Sequence, residues 1–265
     1  VSLLTDTDGD GRMDKATAFV DGVVMPRSVL AVNGGALVAV PPELILCRDT
    51  QGTGRADSRT VVASDFGTAG GQPEHMANTP IWALDNTIYA AGYGTGLRLK
   101  AGAWQRGPGL GRGQWGLCQD DFGRLYFNYN SDLLRADLLP APAYARNPLL
   151  RNAAGLNHQV MLDQSVYPSH PTPGVNRGYD PKTLRADGTL AKATATCGAA
   201  VYRGDAYPAE YRGNAFVPEP SVNLIKRLLL SEQDGIVKAT DGAKDREFLT
   251  STDERFRPVQ VVNGP

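Results

Sequence analysis

The sequence predicts an all-β chain of many short strands, and three observations carry that reading. Apolar or alternating runs of strand length recur between Gly, Asp and Asn turns, helix periodicity is scarce, and 30 glycines and 18 prolines punctuate the 265 residues. A longer period is superimposed: Asp6, Gly9, Gly11, Arg12 and Asp14 recur as Asp49, Gly52, Gly54, Arg55 and Asp57, an offset of 49 − 6 = 43. A repeat of ~40–50 residues, each unit several strands, points to a β-propeller rather than a solenoid.

Taken in order, the first element is "DTDGDGRMD", Asp6 to Asp14, a turn joining two neighbouring strands. Gly11 and Gly54 allow the sharp bend, while Asp6 and Asp49 accept backbone amides within it. Asp6, Asp8, Asp10 and Asp14 also stand at positions 1, 3, 5 and 9 of a calcium loop, whose usual acid at position 12 is replaced by Thr17. The copy at 49–57 keeps only Asp49 and Asp57 and is expected to be metal-free. The motif is first a hairpin and secondarily a calcium site. Next, "RSVLAVNGGALVAVP", "IWALDNTIYAAGY", "GLCQDDFGRLYFNYN" and "PVQVVNGP" each read as two strands around a tight turn. Residues 224–231 and 241–249 are the two places where a brief helix could wind, although "VNLIKRLLL" suits a strand equally. Residues 140–196, rich in Pro, Gly and Asn, read as a long loop excursion, the usual place for binding residues on a β scaffold.

Composition excludes some functions. A net charge of −1 with scattered basic residues provides no surface for nucleic acid, and no apolar run reaches the ~20 residues of a membrane span. Neither a phosphate loop ("GLGRG" lacks the strand–helix context) nor a zinc or disulfide pattern is present; Cys47, Cys118 and Cys197 are expected as buried thiols. His158 and His170 lie too far apart in sequence to suggest a metal pair, and Trp82, Trp104 and Trp115 are expected to pack between sheets. There is no signal-peptide pattern. The opening "VSLL" and the closing "VQVVNGP" read as interrupted strands, so the chain is expected to be an incomplete propeller of four to five blades over 1–265.

Six strings then carry a resemblance: "DTDGDGRMDKATAFVDGV", "EHMANTPIWALDNTIY", "RGQWGLCQDDFGRLYFNYNSD", "GVNRGY", "CGAAVYRGDAYPAEYRGNAFVPEP" and "STDERFRPVQVVNGP". In this order they resemble the six-bladed propellers of the soluble aldose and sorbosone dehydrogenase superfamily, whose studied members use pyrroloquinoline quinone (PQQ). The nearest branch is a group of uncharacterised bacterial proteins known as membrane-bound dehydrogenases, often fused to a c-type haem domain. The resemblance implies that His75, just before "IWALDNTIY", is the base that takes a substrate hydroxyl proton, work suited to an imidazole of unperturbed pKa ~6.5. It implies that Arg112 of "RGQWG" approaches a quinone oxygen, and that Arg255 and Arg257 of "ERFRPV" bind the cofactor's carboxylates, two apart on one face of a strand. The alternative for this pair is a set of surface salt bridges with Asp253 and Glu254.

Two departures weigh against PQQ. The lysine that holds the quinone is replaced at or near Ser221, with Glu219 two residues away. The His-Gly-Pro turn whose carbonyls hold the cofactor's calcium is replaced by "YNSDLL", around Asn130 to Asp132. The first functional reading is therefore a quinoprotein-like dehydrogenase acting on a sugar or polyol and passing electrons to a haem c partner in the periplasm or outside the cell. The second is a non-catalytic propeller that binds a carbohydrate or a protein. The three arginines leave its cup cationic, suited to an anionic cofactor or an acidic sugar.

Overall fold

The structure is a computed structural model that describes residues 1–68, 72–152, 154–172 and 183–264. It divides into two compact units, 1–80 and 81–265. "GVNRGY", at 174–179, lies outside the described residues.

The first unit begins with a two-stranded hairpin of β1 (Ser2–Thr5) and β2 (Lys15–Ala18). A four-stranded antiparallel meander follows: β3 (Ser28–Val32), β4 (Gly35–Val40), β5 (Glu43–Arg48) and β6 (Ser58–Ala63). The two-residue turn Asn33-Gly34 sets the β3–β4 register, pairing Val32 with Gly35. Val38, Ile45 and Cys47 form the unit's core with Val20 and Ala36, since β4 and β5 are covered on both faces. The repeated Asp loops join β1 to β2 and β5 to β6, which is the hairpin connection that the 43-residue period predicts.

The second unit contains three further meanders. The first comprises β7 (Asn78–Trp82, crossing the unit boundary), β8 (Ile88–Ala91), β9 (Thr95–Lys100) and β10 (Ala103–Pro108). The next comprises β11 (Leu117–Gln119), β12 (Leu125–Tyr129), β13 (Asp132–Asp137) and β14 (His158–Gln159). The last comprises β15 (Ala200–Val201), β16 (Ala215–Glu219), β17 (Leu224–Gln233) and β18 (Ile236–Asp241), with β19 (Leu249–Thr250) added against the start of β17. Four successive four-stranded antiparallel meanders, each in chain order, are the blades of a β-propeller. Neighbouring blades share cores: Tyr126, Leu133 and Leu134 meet Val217, Leu224 and Leu228, while Tyr89 and Ala91 meet Leu117 and Phe127.

Several local expectations are corrected. Residues 224–231 belong to β17, and 242–248 form a turn and bends between β18 and β19, without helix. β17 closes on β18 through Asp234-Gly235, both at positive φ, the two-residue turn that an antiparallel pair favours. Of "PVQVVNGP", the described residues 258–264 form no strand; they run beside β15, with Val261 N–H donating to the Gly198 carbonyl and the Asn263 side chain donating to the Val201 carbonyl. The excursion is partly structured: α1 (Ala141–Ala145) starts it, and β14 supplies the fourth strand of its blade. None of the tryptophans is buried: Trp82 is exposed, and Trp104 and Trp115 are half-buried. The three thiols are free, and burial raises the pKa of each.

Candidate functional site

Within a meander, successive turns alternate between the two ends of the strands. Within the second unit, the segments leading into β11 and β15 lie at the end opposite the first turns of their blades. His75 closes a 3-10 turn, Pro73–His75, just ahead of β7, and is exposed. Arg112 lies ahead of β11, and Arg255 and Arg257 precede the extended run beside β15. His75 belongs to the first unit and the arginines to the second.

In the second unit three of these leading segments meet. Gly198 N–H donates to the Trp115 carbonyl at 3.1 Å, and Val261 N–H donates to the Gly198 carbonyl at 2.9 Å. A Cβ on Gly116 would lie 2.6 Å from Gly198 Cα, and one on Gly198 would lie 2.3 Å from the Val259 carbonyl. Only glycine permits so close an approach, and Gly116 also holds φ 83°. The stretches that follow Arg112, precede β15 and follow Arg257 therefore lie side by side.

The side chains themselves are engaged differently from what the resemblance implies. Arg112 Nη1 donates to Asp137 Oδ2 at 2.6 Å, and the Tyr144 hydroxyl and Asn157 N–H donate to the same buried carboxylate at 2.9 and 2.8 Å. Arg112 is thus neutralised inside the protein. Burial, reinforced by Asp137, pushes the Tyr144 phenol up to about 12. Arg255 and Arg257 are exposed and do not lie on a strand: Phe256 N–H donates to the Asp253 carbonyl, closing a turn over 253–256 that contains Arg255 and ends just before Arg257. Asp253 accepts the Arg255 backbone amide, and Arg257 Nη1 donates to the Pro220 carbonyl. Among the described residues neither arginine forms a salt bridge, so the alternative of a charge ladder is also corrected.

Sequence reasoning missed the internal partners. Glu219, fully buried, accepts the amides of Thr194 and Ala195 at 3.1 and 3.0 Å, and the Ser221 hydroxyl donates to its other oxygen. Burial raises the Glu219 carboxyl above its ordinary value. At the "YNSDLL" turn, the Thr196 hydroxyl sits against three carbonyls, those of Tyr129, Asn130 (3.4 Å) and Asp132 (3.2 Å). The signal was present as "TATC" beside "PEPS", but no pattern links residues ~25 apart until the strands place them.

These contacts test whether PQQ fits. The place of the quinone-holding cation is a buried hydroxyl bonded to a buried carboxylate, the carbonyl turn is capped by Thr196, and Arg112 already has its anion. A tricarboxylate cofactor and its calcium gain no cation or open carbonyl cradle there. These residues do not fit the group.

The first Asp loop does suit a hard cation. Carboxylate oxygens of Asp6, Asp8 and Asp14 lie within 4.8 Å of one another. Asp10, the fourth residue of the expected set, is outside this group and accepts the Arg12 amide at 2.7 Å. The turn holds itself: Asp6 accepts Gly9 and Gly11 amides, which lower its pKa, and Asp14 accepts the Thr7 amide and hydroxyl. Asp49 and Asp57 repeat this with Gly54 and Thr50. His158 and His170 bond backbone carbonyls, of Val237 and of Pro171 and Ser251.

Comparison with known proteins adds the family. No curated protein sequence matches the chain significantly. A crystal structure of glucose dehydrogenase is 17% identical, with a TM-score of 0.40, over 86% of this chain and 89% of its own. An oxidoreductase (glucose dehydrogenase) from Thermus thermophilus is 16% identical, with a TM-score of 0.37, over 93% and 90%. Another glucose dehydrogenase is 15% identical, with a TM-score of 0.39, over 83% and 87%. The profile of one family, described as a domain of unknown function (DUF7133), matches residues 1–265, and the chain belongs to that family.

Proposed function

We propose that this chain is a dehydrogenase-like propeller that binds a small polyhydroxylated acid, such as a sugar acid, and holds no PQQ in the manner of the quinoprotein sugar dehydrogenases. One observation carries this reading: the places at which those enzymes would contact quinone and calcium are filled from within, by Ser221–Glu219, Arg112–Asp137 and Thr196. What remains for a ligand are the exposed guanidinium groups of Arg255 and Arg257, next to leading segments packed side by side. Guanidinium is a planar donor fork that matches a carboxylate, so a sugar acid is favoured over a neutral sugar. Asp6, Asp8 and Asp14 would hold a calcium ion that stabilises the first hairpin without taking part in ligand binding.

Two titrations test the reading. Glucuronate and glucose are titrated calorimetrically into the protein and into Arg255→Ala and Arg257→Ala. Heat from glucuronate that the variants lose is the expected result. PQQ with calcium is added separately, and absorbance is read after gel filtration. Stoichiometric retention of the quinone would overturn the proposal.

A second reading is favoured by the exposure of His75 ahead of β7, since a general base has to be accessible to the hydroxyl it deprotonates. In that reading the domain oxidises a sugar or polyol, His75 takes the hydroxyl proton, and electrons pass to a c-type haem partner in the periplasm or outside the cell. Turnover of an artificial electron acceptor, abolished by His75→Ala, would support it.

A further inference from the structure

The opposite end of the second unit's blades holds a cavity of about 340 Å³. The turn between β11 and β12, residues 120–124, forms one wall, and the ends of β15, β17 and β18 form the other. Turns between first and second strands and between third and fourth strands lie at the end away from the leading segments. The cavity is therefore separate from the Arg112, Arg255 and Arg257 end.

Its chemistry is mixed in a particular way. Val201, Leu230 and Val237 give it apolar walls. Phe122 stands at its rim, 80% exposed, with the Arg124 guanidinium 4.8 Å from its ring centre. The ring packs on the Arg124 guanidinium and leaves most of its surface to solvent beside the cavity. Around it, Asp120, Asp121 and Glu232 are matched by Arg124, Arg203 and, beside Asp121, Arg212. Charge therefore balances, three against three, so neither an anion nor a cation is selected by net field.

The polar groups also retain bonding capacity. Asp120 is fully used by the Phe122 and Arg124 amides, Arg124 Nε and the Tyr126 hydroxyl, and it fixes the turn. Arg203, in contrast, places Nε on Asp121 at 2.6 Å and has donors to spare out of five. Adjacent guanidinium and carboxylate planes suit vicinal hydroxyls, because each hydroxyl accepts from one and donates to the other. An aromatic ring with apolar walls suits the C–H face of a pyranose. The volume lies at the lower end of the ~300–1,000 Å³ of small-molecule sites, enough for one or two sugar rings.

We propose that this cavity binds a neutral saccharide, with Phe122 as the stacking platform and Arg203, Asp121 and Glu232 as hydroxyl partners. The test uses the intact protein and saturation-transfer NMR, with cellobiose, maltose and lactose as neutral probes and glucuronate and glucosamine as charged ones. At least one neutral disaccharide should receive transfer at its C–H protons, and Phe122→Ala should weaken its binding about tenfold. Phe122 is exposed, so the variant should keep the parent's melting temperature. Ser231→Trp, which fills the cavity from an exposed strand position, should abolish the signal. Arg255→Ala should leave it unchanged, which separates this site from the acid-binding end proposed above. Absence of binding by all three neutral sugars, undiminished binding in Phe122→Ala, or equal binding of the charged probes would overturn the proposal.

Discussion

Replacing Asp137 probes the joint between a blade and the long excursion that follows it. Its carboxylate sits at the end of β13, almost wholly buried, and receives Arg112 Nη1, the Tyr144 hydroxyl and the Asn157 amide. Asp137→Ala removes all three acceptors at once. The amide and phenol bonds are each worth about 1 kcal/mol, and the Arg112 bond about 1.5, held down because water reaches part of that guanidinium. The expected loss is roughly 3–4 kcal/mol. Asp137→Asn keeps a single oxygen for the Arg112 and Tyr144 donors that share Oδ2, loses the charge, and sets its amino group against the Asn157 amide that bonds Oδ1, so it should cost roughly 2 kcal/mol. Equilibrium urea unfolding at pH 7 reads both values. The same variants release Arg112, and glucuronate should bind more tightly to each. A loss below about 1 kcal/mol in the alanine variant, or equal losses in both, would refute the claim that this carboxylate anchors the excursion. Unchanged glucuronate affinity would remove Arg112 from the acid-binding end.

Other expectations follow from single contacts. Glu247, buried against Lys226, has its carboxyl pushed by that burial from 4.5 to about 7. The folded state thus holds this proton more tightly than the unfolded chain. The contribution of this one group should be full below pH 4.5 and fall by up to roughly 3 kcal/mol as pH rises to 7, so Glu247→Gln should lose least, relative to the parent, at the upper end of that range in urea titrations. Asp8→Ala should lower the melting temperature in calcium buffer and change little in chelator. Asp10→Ala, outside the cluster, should behave alike in both buffers. Gly198→Ala must push Val259 away, so it should cost roughly 2 kcal/mol or more and expose residues 258–264 to limited proteolysis.

What the sequence disclosed and what it withheld divide along physical lines. Turns announce themselves locally: Asp120–Arg124 and the two Asp loops carry their own hydrogen-bonding side chains and Asn33-Gly34 has its glycine at positive φ, so their strands were readable. The 43-residue offset works for the same reason, since Asp6–Gly11 and Asp49–Gly54 are self-contained. Partnerships across blades leave no such trace. Nothing near Ser221 indicates that Glu219 would be satisfied by amides at 194 and 195, or that Thr196 would cap the carbonyls of 129–132. "ERFRPV" alternates like a strand, yet Asn223, whose side chain donates to the Glu254 and Phe256 carbonyls, bends it into a turn. Tertiary hydrogen bonds outweighed local pattern there.

The contact of Gly116, Gly198 and Val259 also constrains how the chain reaches its native state. It joins positions 198 − 116 = 82 and 259 − 198 = 61 residues apart. Neither link can form by local search, and each must wait until an intervening meander has collapsed. Closing such loops spends chain entropy before any contact repays it, which places assembly among the slower, high-contact-order routes. Residues 258–263, having no strand partner of their own, can settle only when the surfaces at 115–116 and 197–201 are already in place. They act as the last piece of the second unit to be laid down, and their protection from hydrogen exchange should lag behind that of β12 and β17 during refolding.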